Sequence, residues 1–281
     1  MPKARVSAAD GHITELAERN AAVISVWMGG IDGTVWLARD ADRILPAAST
    51  MKLPLLVALH RAHETDGPRL TDSVVVRAEL ASIVAGQTYE TTQDYDNDDL
   101  PWERLGQPVS LGWLGERAIV RSSNLATNLL LDALGLEAVN AIYAAAGARG
   151  CAVRRGIQDS HAGELGLFNE VTASGLAAVL GGVARRELAS VSACREVERI
   201  LAACEHRDGV GAALPAGTYL ANKTGWIDDH CHDAALVRPL DEPPFVLVVL
   251  SAAALDEDAG HALVADVARV CWDHRMELAQ P

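Results

Sequence analysis

The chain has 281 residues, 49% of them hydrophobic and 22% charged, which is the balance of a globular protein and excludes a disordered chain, a coiled coil or a collagen-like repeat. Its 24 basic and 38 acidic side chains leave a net charge of −14. That charge repels phosphate backbones and anionic lipid surfaces, so neither nucleic acid nor membrane is expected as a partner. After the opening Met1-Pro2-Lys3-Ala4-Arg5 no long apolar stretch follows, and the longest apolar run, Phe245 to Leu255, is too short for a span. Five scattered cysteines, Cys151, Cys194, Cys204, Cys231 and Cys271, make no disulfide framework. Together these features lead to the expectation of a cytoplasmic protein.

Taken in chain order, a helix is predicted over Ala8 to Asn20, with Ile13, Leu16 and Ala17 at helical spacing. A β-branched run, Ala22 to Met28, and a second strand, Thr34 to Ala38, are joined by the Asp32-Gly33 hairpin signal. A helical middle follows: Ser49 to Glu64, Ser110 to Val120, Asn124 to Leu134, Glu137 to Ala146, Thr172 to Arg186 and Ala193 to Cys204. Between the first two lies Gln87 to Gln107, rich in Asp, Thr and Tyr, which reads as a loop and a candidate cover for a site. Strands return at Thr218 to Thr224, Asp233 to Val237 and Phe245 to Ser251, before a last helix, Glu257 to Met276. The simplest assembly is α+β and two-lobed. The ends, 1–45 and 214–281, form an antiparallel sheet flanked by helices, and 46–213 forms an all-helical lobe. A site is then expected in the cleft between them.

Three short motifs carry chemistry. In Ser49-Thr50-Met51-Lys52 the serine opens a helix and the lysine follows one turn later on the same face. A helix N-terminus and a lysine of lowered pKa can together activate a hydroxyl. In Ser122-Ser123-Asn124 a hydroxyl and an amide stand at the start of the next apolar helix, where they can relay a proton and hold a carbonyl. In Lys223-Thr224-Gly225 strand alternation sets Lys223 and Gly225 on one face and Thr224 on the other. There the lysine can hold a carboxylate and the glycine lets a substrate backbone run along the strand. Each motif alone reads more simply as a helix cap or a strand end. His230-Cys231-His232 is not a convergent metal set, because alternation turns Cys231 away from the two histidines. No Gly-x-Ser-x-Gly elbow, Walker loop or dinucleotide fingerprint is present, so no cofactor is implied.

In this order, 73 and 101 residues apart, the motifs resemble those of class A β-lactamases and penicillin-binding proteins. Ser82 to Tyr89, Ser122 to Leu130, Arg155 to Asp159, Lys223 to Trp226 and His232 to Ala235 are similar to a branch of β-lactamase-related serine hydrolases. The resemblance implies a β-lactamase/transpeptidase-like fold and an acyl-enzyme on Ser49, with Lys52 as its base partner. It further implies that Ser122 passes a proton to the leaving nitrogen and that Asn124 orients the substrate amide. Lys223 and Thr224 would hold a substrate carboxylate, and the N–H groups of Ser49 and Trp226 would form an oxyanion hole. Class A enzymes carry a deacylating glutamate where this chain has Gln158, whose amide is no useful base. Asp159 and Glu164 are the neighbours that could replace it. Three readings follow: a hydrolase of an amide, lactam or ester; an acyltransferase with an amine or alcohol acceptor; and a non-catalytic acyl-binding sensor. The partner is in each case a small molecule.

Overall fold

The computed structural model describes residues 7–240 and 242–280. Five strands form one sheet: β1 (Val23–Gly30), β2 (Val35–Arg39), β3 (Tyr219–Ile227), β4 (His230–Arg238) and β5 (Phe245–Ala252). Their order is β2-β1-β5-β4-β3, with every neighbouring pair antiparallel. The two ends of the chain therefore meet at the β1–β5 ladder, where Val23 pairs with Ala252 and Gly30 with Phe245. Gly33 turns the β1–β2 hairpin at φ +90°, a conformation natural to glycine.

Alternation splits the sheet's side chains between two cores. Ile24, Val26, Met28, Ala235, Val237, Leu247 and Val249 pack beneath α1 (Ala8–Arg19) and a long C-terminal helix, Glu257–Leu278. Val210 and Ala213, from a short helix after the central lobe, join this cluster. On the other face Trp27, Ala234, Leu236, Val246, Val248 and Leu250 belong to the core of the central helices. These are α2 (Lys52–His63), α3 (Leu111–Val120), α4 (Asn124–Leu134), α5 (Leu136–Ala146), α6 (Ala173–Ala184) and α7 (Val191–Ala202). Helix α6 lies directly on β1, β4 and β5. No single helix among the described residues is long and apolar enough to cross a membrane. The α4–α5 pair is apolar because Leu125, Leu129, Leu130, Val139 and Ile142 fill this core.

Capping residues set most boundaries, with Ser110, Ser123, Thr172 and Ser190 each accepting an N–H from the first turn of its helix. Two expectations need adjustment. Ser49 does not open an α-helix, because Ala48–Met51 is a single 3₁₀ turn and α2 begins at Lys52. Pro54 is accommodated because a first-turn N–H has no intrahelical partner to lose. The stretch Gln87–Gln107 is not wholly irregular. It holds a strand, Thr88–Glu90, paired with Glu79–Ala81 just before the stretch, a 3₁₀ turn at Gln93–Tyr95 and a short helix, Asp99–Trp102, capped by Asp98.

Candidate active site

A cavity of about 670 Å³ opens where α4, the Ser49 turn, the 155–169 segment and the end of β3 come together. Of the residues singled out in the sequence, Ser49, Asn124, Gln158 and Trp226 line it. Lys52, Ser122, Lys223, Thr224 and Gly225 are buried behind that wall.

The centre of the arrangement is the Ser122 hydroxyl. Ser122 has φ +60°, in the left-handed region, while its neighbour Ser123 performs the cap of α4. This division of labour frees Ser122 to stand between two amines. Lys52 Nζ lies 3.2 Å from Ser122 Oγ, and Lys223 Nζ lies 3.0 Å from it. Lys52 also donates to the Ser122 carbonyl and to Asn124 Oδ1, both at 2.7 Å. Lys223 also donates to the Thr224 carbonyl at 2.7 Å. Burial, reinforced by the neighbouring charge of Lys223, holds the Lys52 amine well below the usual lysine range. Burial lowers Lys223 as well, against the opposing pull of Cys204 and Asp233. A hydroxyl flanked by two amines of lowered basicity can pass a proton in either direction. Among the described residues, Lys52 makes its hydrogen bonds with Ser122 and Asn124 and none with the Ser49 hydroxyl.

The Ser49 turn rests on the sheet. A side-chain carbon at Gly225 would come within 2.7 Å of the Ser49 nitrogen and 2.9 Å of the Thr50 nitrogen. The glycine is therefore required by the protein's own backbone. β3 is an edge strand, and the Thr224 carbonyl faces its open side, where Lys223 meets it. In an antiparallel strand the N–H and C=O of one residue share a side, and alternate residues repeat it. The Trp226 N–H consequently points to the same open edge, beside Ser49. The Trp226 ring sits edge-on between His206 and His261, at centroid distances of 5.1 and 5.4 Å. Thr224 Oγ1 is buried and has no partner among the described residues.

The sequence did not reveal the residues that hold this frame. Asp96 accepts from the Asn124 and Leu125 backbone N–H groups at 2.9 and 2.8 Å, from Ser123 Oγ at 3.2 Å and from Trp102 Nε1 at 3.0 Å. Asn124 Nδ2 donates to the Tyr95 carbonyl. Residues 94–97 thus both line the cavity and anchor α4, and the only sequence signal was the Asp-rich composition of their loop.

The opposite wall is built differently. Gln158, at φ +67°, accepts from the Thr92 N–H at 3.1 Å and donates to Thr92 Oγ1 at 2.9 Å. Asp159 is buried away from the cavity. It takes the Ser82 hydroxyl at 2.8 Å and caps the short helix Ser160–Glu164 through the Ala162 N–H. Glu164, at the end of that helix, is exposed and does not line the cavity. Neither lines the cavity. Asn169 Oδ1 receives the N–H groups of Arg154 and Arg155, and its amide donates to the Arg155 carbonyl.

No group of three His, Cys, Asp or Glu side chains suited to a metal gathers among the described residues. All five cysteines are free.

An antiparallel five-stranded sheet, helices on both its faces and a cleft carrying two lysines on one serine define the β-lactamase/transpeptidase-like fold. Residues 8–275 match the model of the beta-lactamase enzyme family, and the chain belongs to that family. Membership makes it a serine hydrolase by class, with small lactams or amides as the kind of substrate. The fold is shared with a β-lactamase from Sphaerobacter thermophilus at 24% identity and TM-score 0.82, over 99% of this chain and 100% of that one. It is shared equally with PBP-A, at 20% identity, TM-score 0.81 and 99% of each chain. The class A β-lactamase of the last common ancestor of Gram-negative bacteria is also similar, at 22% identity and TM-score 0.82, over 96% of this chain and 100% of that one. No curated protein sequence matches this chain.

Proposed function

We propose that Ser49 is the nucleophile of an acyl-enzyme reaction on a small lactam, amide or ester. The observation that carries this reading is the Ser122 hydroxyl held between two buried lysines beside the Ser49 turn. Ser49 Oγ attacks the substrate carbonyl, and its proton passes to Lys52. The carbonyl oxygen, carrying the developing charge, meets the N–H groups of Ser49 and Trp226. As the carbon–nitrogen bond breaks, Ser122 gives its proton to the leaving nitrogen and is reprotonated from the adjacent amines. Lys223 and Thr224 attract a substrate carboxylate, and Asn124 orients the amide once it turns from the Tyr95 carbonyl. In this reading the sheet lobe is 1–45 with 214–281 and the helical lobe is 46–213.

Release of the acyl group is the second half of the reaction. The 155–169 segment contributes Arg155, Gly156, Ile157, Gln158, Phe168 and Asn169 to the cavity and no carboxylate. This favours a long-lived acyl-enzyme and, as a second reading, transfer of the acyl group to an amine or alcohol instead of water.

The deciding experiment is the intact mass of the protein after incubation with a penicillin and a cephalosporin, beside Ser49→Ala. The expected result is an adduct of the β-lactam's mass on the native chain and none on the variant. An adduct that survives Ser49→Ala would overturn the assignment. Decay of the adduct that accelerates with added amine, and yields the corresponding amide, would select transfer over hydrolysis.

A further inference from the structure

The Ser49 turn contains a conformation that its own sequence does not favour. Ala48, immediately before Ser49, has φ +44°. An alanine in the left-handed region costs free energy and persists only where the surroundings over-determine it. From above, the Ala47 N–H donates to the Asn169 carbonyl at 2.8 Å. Within the turn, the Thr50 N–H and hydroxyl both donate to the Ala47 carbonyl, at 3.1 and 2.5 Å. From below, the support is His232.

His232 is fully buried in β4 and pairs across the sheet with Gly225, the residue on which the Ser49 and Thr50 nitrogens rest. Its Nε2 lies 2.9 Å from the Pro46 carbonyl. A carbonyl only accepts, so Nε2 carries the proton and Nδ1 is left as an acceptor. That acceptor receives the Ser251 N–H from β5 at 3.3 Å. The imidazole is thus a strut with a donor at one end and an acceptor at the other. It runs from the middle strand of the sheet to the residue where the Ser49 turn begins. Burial pushes its pKa down to about 4, so the neutral form that this pattern needs is the resident one.

We propose that His232 is a positioning residue for the reaction: by holding the Pro46 carbonyl it fixes the Ala48 turn, and with it the Ser49 hydroxyl and N–H, in the attacking geometry. This rests on the reading of Ser49 as nucleophile. His232 touches no substrate and exchanges no proton. A displacement of about an ångström at a nucleophile costs up to about a hundredfold in rate, so the effect falls on the acylation step.

The test compares acylation by a penicillin, followed by intact mass, for the native chain, His232→Leu and His232→Gln. Leucine fills the space without a donor, whereas the glutamine amide nitrogen can reach the same carbonyl. The acylation rate constant per folded molecule is expected to fall about tenfold or more in His232→Leu, with the penicillin dissociation constant within about twofold of native. His232→Gln should recover most of that loss. A role in folding alone would lower the folded fraction of both variants and leave the rate per folded molecule unmoved. A His232→Leu rate within about twofold of native, or a His232→Gln rate no better than that of leucine, would overturn the inference. If His232→Leu does not fold, His232→Asn, whose shorter amide stops short of Pro46, replaces it with the same expected loss. Absence of any Ser49-dependent adduct on the native chain would remove the nucleophile reading and this inference together. A normal adduct with unaffected variants would remove this inference only.

Discussion

On the side of the cleft formed by the Ser49 turn, Ser122 and β3, three distant segments bring two buried amines against one hydroxyl. On the side formed by residues 155–169, the polar groups nearest the cavity are turned to holding loops together. Gln158 grips Thr92, Asp159 grips Ser82, and Asn169 grips the backbone of Arg154 and Arg155. In the first wall burial lowers the basicity of both lysines, and among the described residues neither has a carboxylate hydrogen-bonded to it. In the second the donors and acceptors are paired internally, with Gln158 held at φ +67°. Ionisable groups so perturbed by burial cluster where chemistry is done. On the proposed reading, bond breaking belongs to the first wall and shape to the second.

The most disruptive test of this contrast is Lys52→Met. It keeps the volume and removes the amine, and acylation is expected to fall by about 10²- to 10⁴-fold in stopped-flow or mass-based kinetics. A loss below about tenfold would move the base elsewhere. The lowered pKa also has a signature in stability. Between the folded-state value and the ordinary value of 10.5, the unfolded chain binds more protons at this site than the folded one does. Stability of the native protein relative to Lys52→Met should accordingly rise with pH through that window and level off above it. Thermal denaturation of both proteins across that range reads the slope directly, and a native-minus-variant stability that falls as pH rises would contradict the assignment.

Gln158→Glu sharpens the other wall. The carboxylate would stand where Thr92 now meets the amide, accepting from both the Thr92 N–H and hydroxyl. On the proposed reading the lifetime of the acyl adduct shortens by about tenfold or more, while the acylation rate stays near native. Hydrogen bonds from Thr92 would stabilise the charged carboxylate and weaken it as a base, so Gln158→Glu with Thr92→Ala should deacylate faster than Gln158→Glu alone. An unchanged adduct lifetime in both would show that this wall lacks more than one functional group.

The smallest effect expected is that of Asp96→Asn. The amide retains one acceptor oxygen and introduces donors facing the N–H groups of Asn124 and Leu125. The loss should be about 1–3 kcal/mol in denaturant unfolding, with a few-fold slowing of acylation as Asn124 shifts. A larger effect on rate than on stability would mark Asp96 as part of the reactive frame rather than a helix anchor.

Much of the first wall was legible because its chemistry lies in short motifs. Ser49 with Lys52, Ser122 with Asn124, and Lys223 with Gly225 each sit within four residues, and their elements were readable from periodicity and caps. The structure gathers these segments around one cleft, as the motif order suggested. The framework of the site was not legible. Asp96 reaches α4, and His232 reaches Pro46, through tertiary contacts between residues far apart in the chain. His232 was visible as half of a poor metal motif and as the start of a segment resembling the family, with no sign of its contact to Pro46. The backbone requirement at Gly225 was not legible for the same reason: its close neighbour is the Ser49 backbone, which strand alternation alone does not place. Asp159 looked available beside Gln158, yet a short helix begins at Ser160 and uses it as a cap.

The pairing of Val23 with Ala252 also bears on how the chain reaches this state. β1 and β2 emerge early in synthesis, but the inner edge of β1 finds its partner only after β5 has been made. Contacts so remote in sequence slow folding, and the uncovered edge of β1 is meanwhile a template for association with other chains. A nascent or truncated chain ending before Phe245 would hold Ile24, Val26 and Met28 with β2 on one side only and no C-terminal helix above. Such a fragment is expected to aggregate, and adding residues 245–280 as a separate peptide should rescue it, making the last helix and strand a means of controlling assembly from outside.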